Sequence, residues 1–364
     1  MKVADICQII EEVAPLALCE SYDNVGLLVG DPRMELRAVL LCIDVTEAVL
    51  DEALQKGCNM IVSHHPLIFR GVKSLTGKDA VQRCMIKAIK NDLAIYAAHT
   101  NIDAVLHGVS GRMAEKIGLL NTRILEPRSE SLLKLVTFVP HSHADMLRQA
   151  LFDAGAGNIG NYDCCSYNVE GYGSFRAGEQ AQPFVGKKNE IHKEPELRIE
   201  VILPALRQAK IITALLHTHP YEEPAFDIYP LRNEWKQVGF GIVGDLKEPE
   251  NEIDFLLRLK TVFRLKALRH SPLLAKPIQR VALCGGSGSF LLNRALDSKA
   301  DIYISGDFKY HEFFNAENRI VIADVGHFES EQFTTEIFYE AIRKKIPTFA
   351  VRISDVITNP VNYL

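Results

Sequence analysis

The apolar run Asn59-Met60-Ile61-Val62 gives out into Ser63-His64-His65-Pro66, two imidazoles side by side at what reads as the end of a strand. Ligands of open α/β sheets bind at the carboxyl ends of strands, and imidazole nitrogen is a favoured ligand of divalent transition metals. Successive strand residues point to opposite faces, so the pair must either twist apart or serve two different ions. The next apolar run ends in His99-Thr100-Asn101-Ile102-Asp103, and a late one ends in Asp324-Val325-Gly326-His327-Phe328-Glu329-Ser330-Glu331. Each sets a histidine and a carboxylate four positions apart. At the start of a helix that spacing puts His327 and Glu331 on one face, the geometry of a chelating pair, and turns Glu329 elsewhere.

Three imidazoles with two carboxylates and no thiolate suit zinc, manganese, iron or cobalt. Five ligands are too many for one catalytic ion that keeps a position open, whereas two ions sharing a carboxylate would use them all. Ions about 3.5–4 Å apart can hold a hydroxide between them and polarise a substrate at the same time, which is hydrolytic chemistry.

The elements that must position these groups follow from periodicity. From Val39 the sequence alternates short apolar runs (VLLCIDV, NMIVSHH, LAIYAAHT) with helix-period stretches (TEAVLDEALQKG, DAVQRCMIKAIKN). This is the pattern of α/β units whose strands are buried on both faces. The order returns late: VALCGGSGSFLLNRALDSKADIYISGD aligns without gaps on VLLCIDVTEAVLDEALQKGCNMIVSHH. A similar element stands before each copy, GLLVGD at Gly26 and GIVGDL at Gly241, and LAIYAAHT or RIVIADVGH follows. The fold class expected is therefore α/β, with two similar lobes from an internal duplication. The lobes span residues 1–126 and 233–364. Between them, residues 127–232 change texture to two strand-helix-strand halves, led by LVTFVP and IEVILP with a helix from Ala144 to Ala154, the signature of an inserted α+β ferredoxin-like domain. The stretch GEQAQPFVGKKNEIHKEPE reads as its exposed loop.

Composition narrows the class. With 47% hydrophobic residues the 364-residue chain is globular and not disordered, and 41 basic against 46 acidic residues leave no global basic footprint for a nucleic-acid backbone. Eight scattered cysteines without a CxxC pair fit a reducing cytoplasm, and adjacent Cys164 and Cys165 simply pack. The opening MKVADICQIIEEVAP carries carboxylates among its apolar residues and reads as an amphipathic helix, not as a signal peptide or membrane span.

Two further motifs have competing readings. Gly285-Gly286-Ser287-Gly288-Ser289 lies between a strand and a helix, where its amides either cradle a phosphate or form a tight turn that brings backbone close to the metal site. It lacks the lysine of a P-loop. In His217-Thr218-His219-Pro220-Tyr221-Glu222-Glu223-Pro224 the alternate histidines point apart, and the segment reads as a structural turn.

Together SHHP, HTNID, GGSGS, SGD at Ser305 and DVGHFESE resemble, in order, the motifs of the Nif-three-like dinuclear-metal-centre family, whose members carry the name GTP cyclohydrolase I type 2. The resemblance covers about the first 125 and last 130 residues, and the insert is similar to the CutA and PII trimeric folds found in the family's longer bacterial members. It implies that His64, His65 and Asp103 bind metal from the first lobe and His327 and Glu331 from the second. It also implies two divalent ions per chain, zinc first, with iron, manganese or cobalt as alternatives, and a toroidal homohexamer with its metal sites facing an internal cavity. His99 falls outside the implied ligand set and is the candidate for proton transfer. The expectation is a metal-dependent hydrolase of a nucleotide or other phosphorylated small molecule, with purine-ring opening of GTP as its specific form. The competing expectation is a hexameric metal-binding scaffold or regulator without turnover, its metals holding the lobes together and its insert sensing a ligand or a protein partner, with DNA binding through the ring as a variant.

Overall fold

The computed structural model describes residues 1–129 and 131–364. The strand Met60–Ser63 is buried along its whole length, as an unbroken apolar run demands of a strand covered on both faces. It lies parallel between Val39–Cys42 and Ala94–Ala97, and Gly26–Val29 closes one edge antiparallel to Ala94–Ala97. A second sheet repeats the core, with Ile302–Gly306 parallel between Ile278–Ser287 and Val321–Asp324. The two central registers correspond: Val39 stands opposite Met60 and Val281 opposite Ile302, partners 21 residues apart in both sheets.

The flanking elements do not correspond. Gly26–Val29 lies beside the third parallel strand of its sheet, whereas the strand that carries GIVGDL, Trp235–Glu250, lies antiparallel to Ile278–Ser287, the first. The place equivalent to Gly26–Val29 is taken by Arg269–His270, antiparallel to Val321–Asp324. A short apolar run with glycines can pair antiparallel with either outer strand of a parallel set, so GLLVGD and GIVGDL are alike in composition and different in position.

Both lobes also exchange the segments that follow them. After the first sheet, helix Val109–Ile117 buries Met113, Ala114 and Ile117 with Phe255, Leu259, Val281 and Ile302 of the second, and Leu120–Arg128 becomes that sheet's edge strand. In return, helix Thr334–Lys345 buries Ile337, Phe338 and Ile342 among Ile6, Leu41, Val62 and Tyr96, and Val351–Ile353 extends the first sheet parallel to Val39–Leu41. Each large apolar side chain buried in this way contributes about 1.5–3 kcal/mol. The sequence boundaries at 126 and 233 thus do not part the lobes in space, and residues 1–126 and 237–364 form one compact unit.

Residues 127–236 form the other. Its four antiparallel strands run in the order Tyr167–Arg176, Ile191–Pro204, Leu132–Pro140, Phe226–Leu231. Helices Ala144–Asp153 and Gln208–Thr218 pack Leu147, Leu151, Ile211 and Leu215 on Leu135, Val139, Ile199 and Val201, a split β-α-β sandwich. The end of the segment read as loop is strand: Ile191 to Glu196 pair with Arg176 to Gly171, because their alternating side chains suit a half-exposed ladder. Among the described residues no helix is long and apolar enough to cross a membrane.

Leu120–Arg128 and Trp235–Glu250 are neighbours in the second sheet, so residues 128–231 connect two strands that already stand side by side. Replacing 128–231 by a short glycine-containing loop should leave a soluble two-sheet core that still takes up metal. A product that is unfolded by circular dichroism, or folded and metal-free, would contradict this division.

Candidate metal centre

The histidine pair leaves its strand still hydrogen-bonded to the neighbouring one, His64 N to Cys42 O at 3.2 Å and His65 N to Ile43 O at 2.9 Å. Ser63 Oγ donates to His65 O at 2.8 Å and tightens the turn, which brings both rings toward one cleft with centroids 4.8 Å apart. Across the cleft, helix His327–Glu331 starts at Gly326, and its four-residue spacing sets His327 and Glu331 on one face. Gly286 has φ +62°, and a Cβ there would meet Glu331 Oε1 at 2.2 Å, so only glycine lets this backbone pass the carboxylate.

Four imidazoles are oriented in the same manner. His64 Nδ1 donates to Ala98 O at 3.0 Å, His65 Nδ1 to Asp44 Oδ1 at 2.7 Å, His327 Nδ1 to Asp307 Oδ2 at 2.7 Å and His99 Nδ1 to Asp23 Oδ1 at 2.9 Å. An acceptor at Nδ1 fixes the proton there and leaves the Nε2 lone pair for a metal. The Nε2 atoms of His64, His65 and His327 converge on Glu331. Its Oε2 lies 3.0 Å from His65 Nε2 and 3.2 Å from His327 Nε2, while its Oε1 lies 3.5 Å from His64 Nε2, which in turn stands 3.9 Å from Asp103 Oδ1.

These groups fit metal ions better than they fit one another. His64 Nε2, Asp103 Oδ1 and Glu331 Oε2 are buried without a well-directed hydrogen bond, and each such orphan costs about 1–3 kcal/mol. His65 Nε2 and His327 Nε2 face each other at 3.3 Å although each ring's Nδ1 already holds a proton toward a carboxylate. Nitrogen and oxygen ligands about 2.0–2.1 Å from a tetrahedral zinc stand about 3.3 Å apart, close to the spacing found here. Two sets result, His65 and His327 on one Glu331 oxygen, His64 and Asp103 on the other.

Electrostatics agrees. Burial alone would raise the Glu331 pKa, but the surrounding His64, His327 and His65 hold it well below the usual carboxylate range. Burial, with Glu331 adding to it, pushes Asp103 well above its ordinary value. His65 resists its own burial and is raised to about 10 by Asp44 and Glu331, and Asp307 with Glu331 raises His327 to about 11. Protons and metal compete for these nitrogens.

The structure brings all five expected ligands to one place and sets His99 beside them, its ring 5.3 Å from those of His64 and His65. His64, His65 and His99 each offer a ligand nitrogen, all within 4.8 Å of one another, so His99 stands within reach of the same centre. Glu329 turns away and accepts from Asn359. In the glycine run, Gly285 N donates to Ser110 Oγ at 3.2 Å, Gly286 N to Ser330 Oγ at 2.9 Å and Gly288 N to Ser305 Oγ at 2.9 Å. Ser287 pairs with Gly306 in the sheet. The amides expected to cradle a phosphate at Gly285, Gly286 and Gly288 are therefore engaged within the protein, and the geometry supports the close-approach turn instead. In the other compact unit, His219 donates from Nε2 to Phe138 O at 2.8 Å and accepts from Tyr221 N at 3.1 Å, a structural turn with no nitrogen left for metal.

Sequence reasoning missed Asp23, Asp44 and Asp307. The last two lie just past strand ends, Asp44 two residues after Cys42 and Asp307 one after Gly306, which was the available signal.

An α/β protein with imidazoles and carboxylates gathered between two sheets is the class these observations define. A family model described as Duf34/NIF3 (NGG1p interacting factor 3) matches residues 1–360, and the chain belongs to that family. A protein of Halalkalibacterium halodurans named GTP cyclohydrolase 1 type 2 homolog is 39% identical over 372 residues and covers all of both chains. Its Bacillus subtilis namesake is 34% identical over 99% of this chain and 98% of its own. The solved structure of a Bacillus cereus protein related to NIF3 has a TM-score of 0.88 and 37% identity, covering 100% of this chain and 99% of that one.

Asp307→Asn should keep the fold but weaken retention of the ion between His327 and His65 by roughly 10- to 100-fold, the usual cost of losing the partner that orients a ligating histidine. Metal competition with a chelator reads this directly. Unchanged retention would contradict the orienting role.

Proposed function

We propose that this protein is a dinuclear metal-dependent hydrolase acting on a nucleotide or another phosphorylated small molecule, with GTP cyclohydrolase-like opening of the purine ring as its specific form. The observation that carries the reading is Glu331, one buried carboxylate with a separate ligand set facing each oxygen. His65 and His327 would hold one divalent ion and His64 and Asp103 the other, zinc by ligand type, with iron, manganese or cobalt as alternatives. When bound, such ions supply Lewis acidity and a water acidified to near neutral pH.

The chain's own groups do the rest. Asp44 and Asp307 orient His65 and His327. His99 moves protons: its Nδ1–H donates to Asp23, which leaves Nε2 to exchange a proton with substrate. Although burial opposes it, hydrogen bonds from His99 and Thr100 keep Asp23 ionised below the usual range. Hydrolysis at C8 of guanine opens the five-membered ring and releases that carbon as formate, and proton transfer at the ring nitrogen is the step this histidine would serve. The relatives' name supports that substrate. Family resemblance supports a cytoplasmic homohexamer as the working form.

The scaffold reading asks the metals to hold the lobes together, a task that the crossing helices and strands already perform.

His99→Asn should keep two ions per chain and lower hydrolysis about 100- to 10,000-fold, the range for a lost general acid or base, whereas His65→Ala should lose metal. Assays would run the metal-loaded protein against GTP and a phosphoester panel. If no substrate shows turnover that depends on both metal and His99, the hydrolase reading gives way to the scaffold.

A further inference from the structure

The segment 354–364 has no regular secondary structure, yet it is held at successive points. Ser354 N donates to Leu41 O at 2.9 Å, on the strand that leads to Asp44. The buried carboxylate of Glu52, on helix Glu47–Gln55, accepts from the Ser354 hydroxyl and, at 2.8 Å, from Asp355 N. Farther along, Thr358 Oγ1 donates to Asp44 Oδ2 at 2.6 Å and Asn359 Nδ2 donates to Glu329 Oε1 at 2.9 Å. Asn359, Val361 and Tyr363 then line a cavity of about 530 Å³ together with Asp44, His65 and His327.

We propose that residues 354–364 are a strap that completes the metal centre, with Thr358 as a positioning residue that acts through Asp44 to fix the His65 ring. The inference rests on the metal-centre reading above. Asp44 is half-buried and has two oxygens to satisfy: Oδ1 accepts from His65 Nδ1 and Oδ2 from Thr358. With both engaged, the carboxylate cannot rotate away, and the imidazole it holds keeps Nε2 aimed at Glu331. His64 needs no such relay, because a rigid backbone carbonyl, that of Ala98, holds its Nδ1. The two halves of the centre therefore differ in kind. His64 is held by backbone at a strand end and Asp103 by the helix Thr100–Asp103, whereas His65 depends through Asp44 on a segment of irregular chain. Coupling runs in both directions: a docked strap favours the ion at His65, and that ion favours a docked strap.

The test uses full-length protein loaded with cobalt(II) and titrated with a chelator, with ions per chain and the visible spectrum followed together. The wild type should hold two ions. Thr358→Val, nearly the same shape without the hydroxyl, should hold one as tightly as the wild type and release the other about 10-fold more readily, the low end of the loss seen when a ligand's supporting partner is removed. Thr358→Ser should restore it. In the wild type, amide hydrogen exchange at 355–363 should quicken when metal is removed. Equal retention of both ions by Thr358→Val overturns the strap while leaving the centre intact, and so does loss of both ions together. A wild-type protein that takes up no cobalt overturns the centre itself, and the strap with it.

Discussion

The candidate centre is arranged around one buried charge. Glu331 is 2% exposed, and taking an ionised carboxylate out of water costs on the order of several kcal/mol unless cations compensate it. Compensation comes from two directions, His65 from one sheet and His327 from its own helix, both raised toward the charged form, while burial holds their neighbour His64 toward the neutral one. Because each carboxylate oxygen faces a different set, the charge is placed to be shared between two cations. Gly286 shows how little slack remains: the backbone of the glycine run passes so close that no side chain fits between it and Glu331.

A centre assembled from two sheets needs those sheets held in place before any ion arrives. Reciprocal exchange does this. Met113 and Ile117 follow the first sheet in sequence and are buried with the second, while Phe338 and Ile342 follow the second and are buried with the first. The two halves of the ligand set thus approach each other on surfaces already joined by apolar burial. A metal ion taken up there would mainly have to displace protons, since the ordering entropy that a flexible site would lose has been met by the fold.

Much of the centre was legible in sequence for a specific physical reason. Parallel strands buried on both faces produce unbroken apolar runs, so the ends of Met60–Ser63 and Val321–Asp324 stand out, and with them His64, His65 and His327. The four-residue spacing of His327 and Glu331 is equally local. What stayed hidden is whatever depends on distant contacts. Asp44 and Asp307 look like ordinary solvent-facing carboxylates until the fold places an imidazole 2.7 Å away. Thr358 acts more than 300 positions from its partner. The crossing of Val351–Ile353 into the first sheet is invisible for the same reason, and GLLVGD and GIVGDL could not reveal which outer parallel strand each would pair with, since a short apolar run fits either.

The central claim is that Glu331 joins two cation sites, and anomalous scattering from crystals of the metal-loaded protein tests it most directly. The account predicts two anomalous peaks per chain about 3.5–4 Å apart, one among His65, His327 and Glu331, the other among His64, Asp103 and Glu331. A single peak, or peaks away from Glu331 such as at His217 and His219, would contradict it.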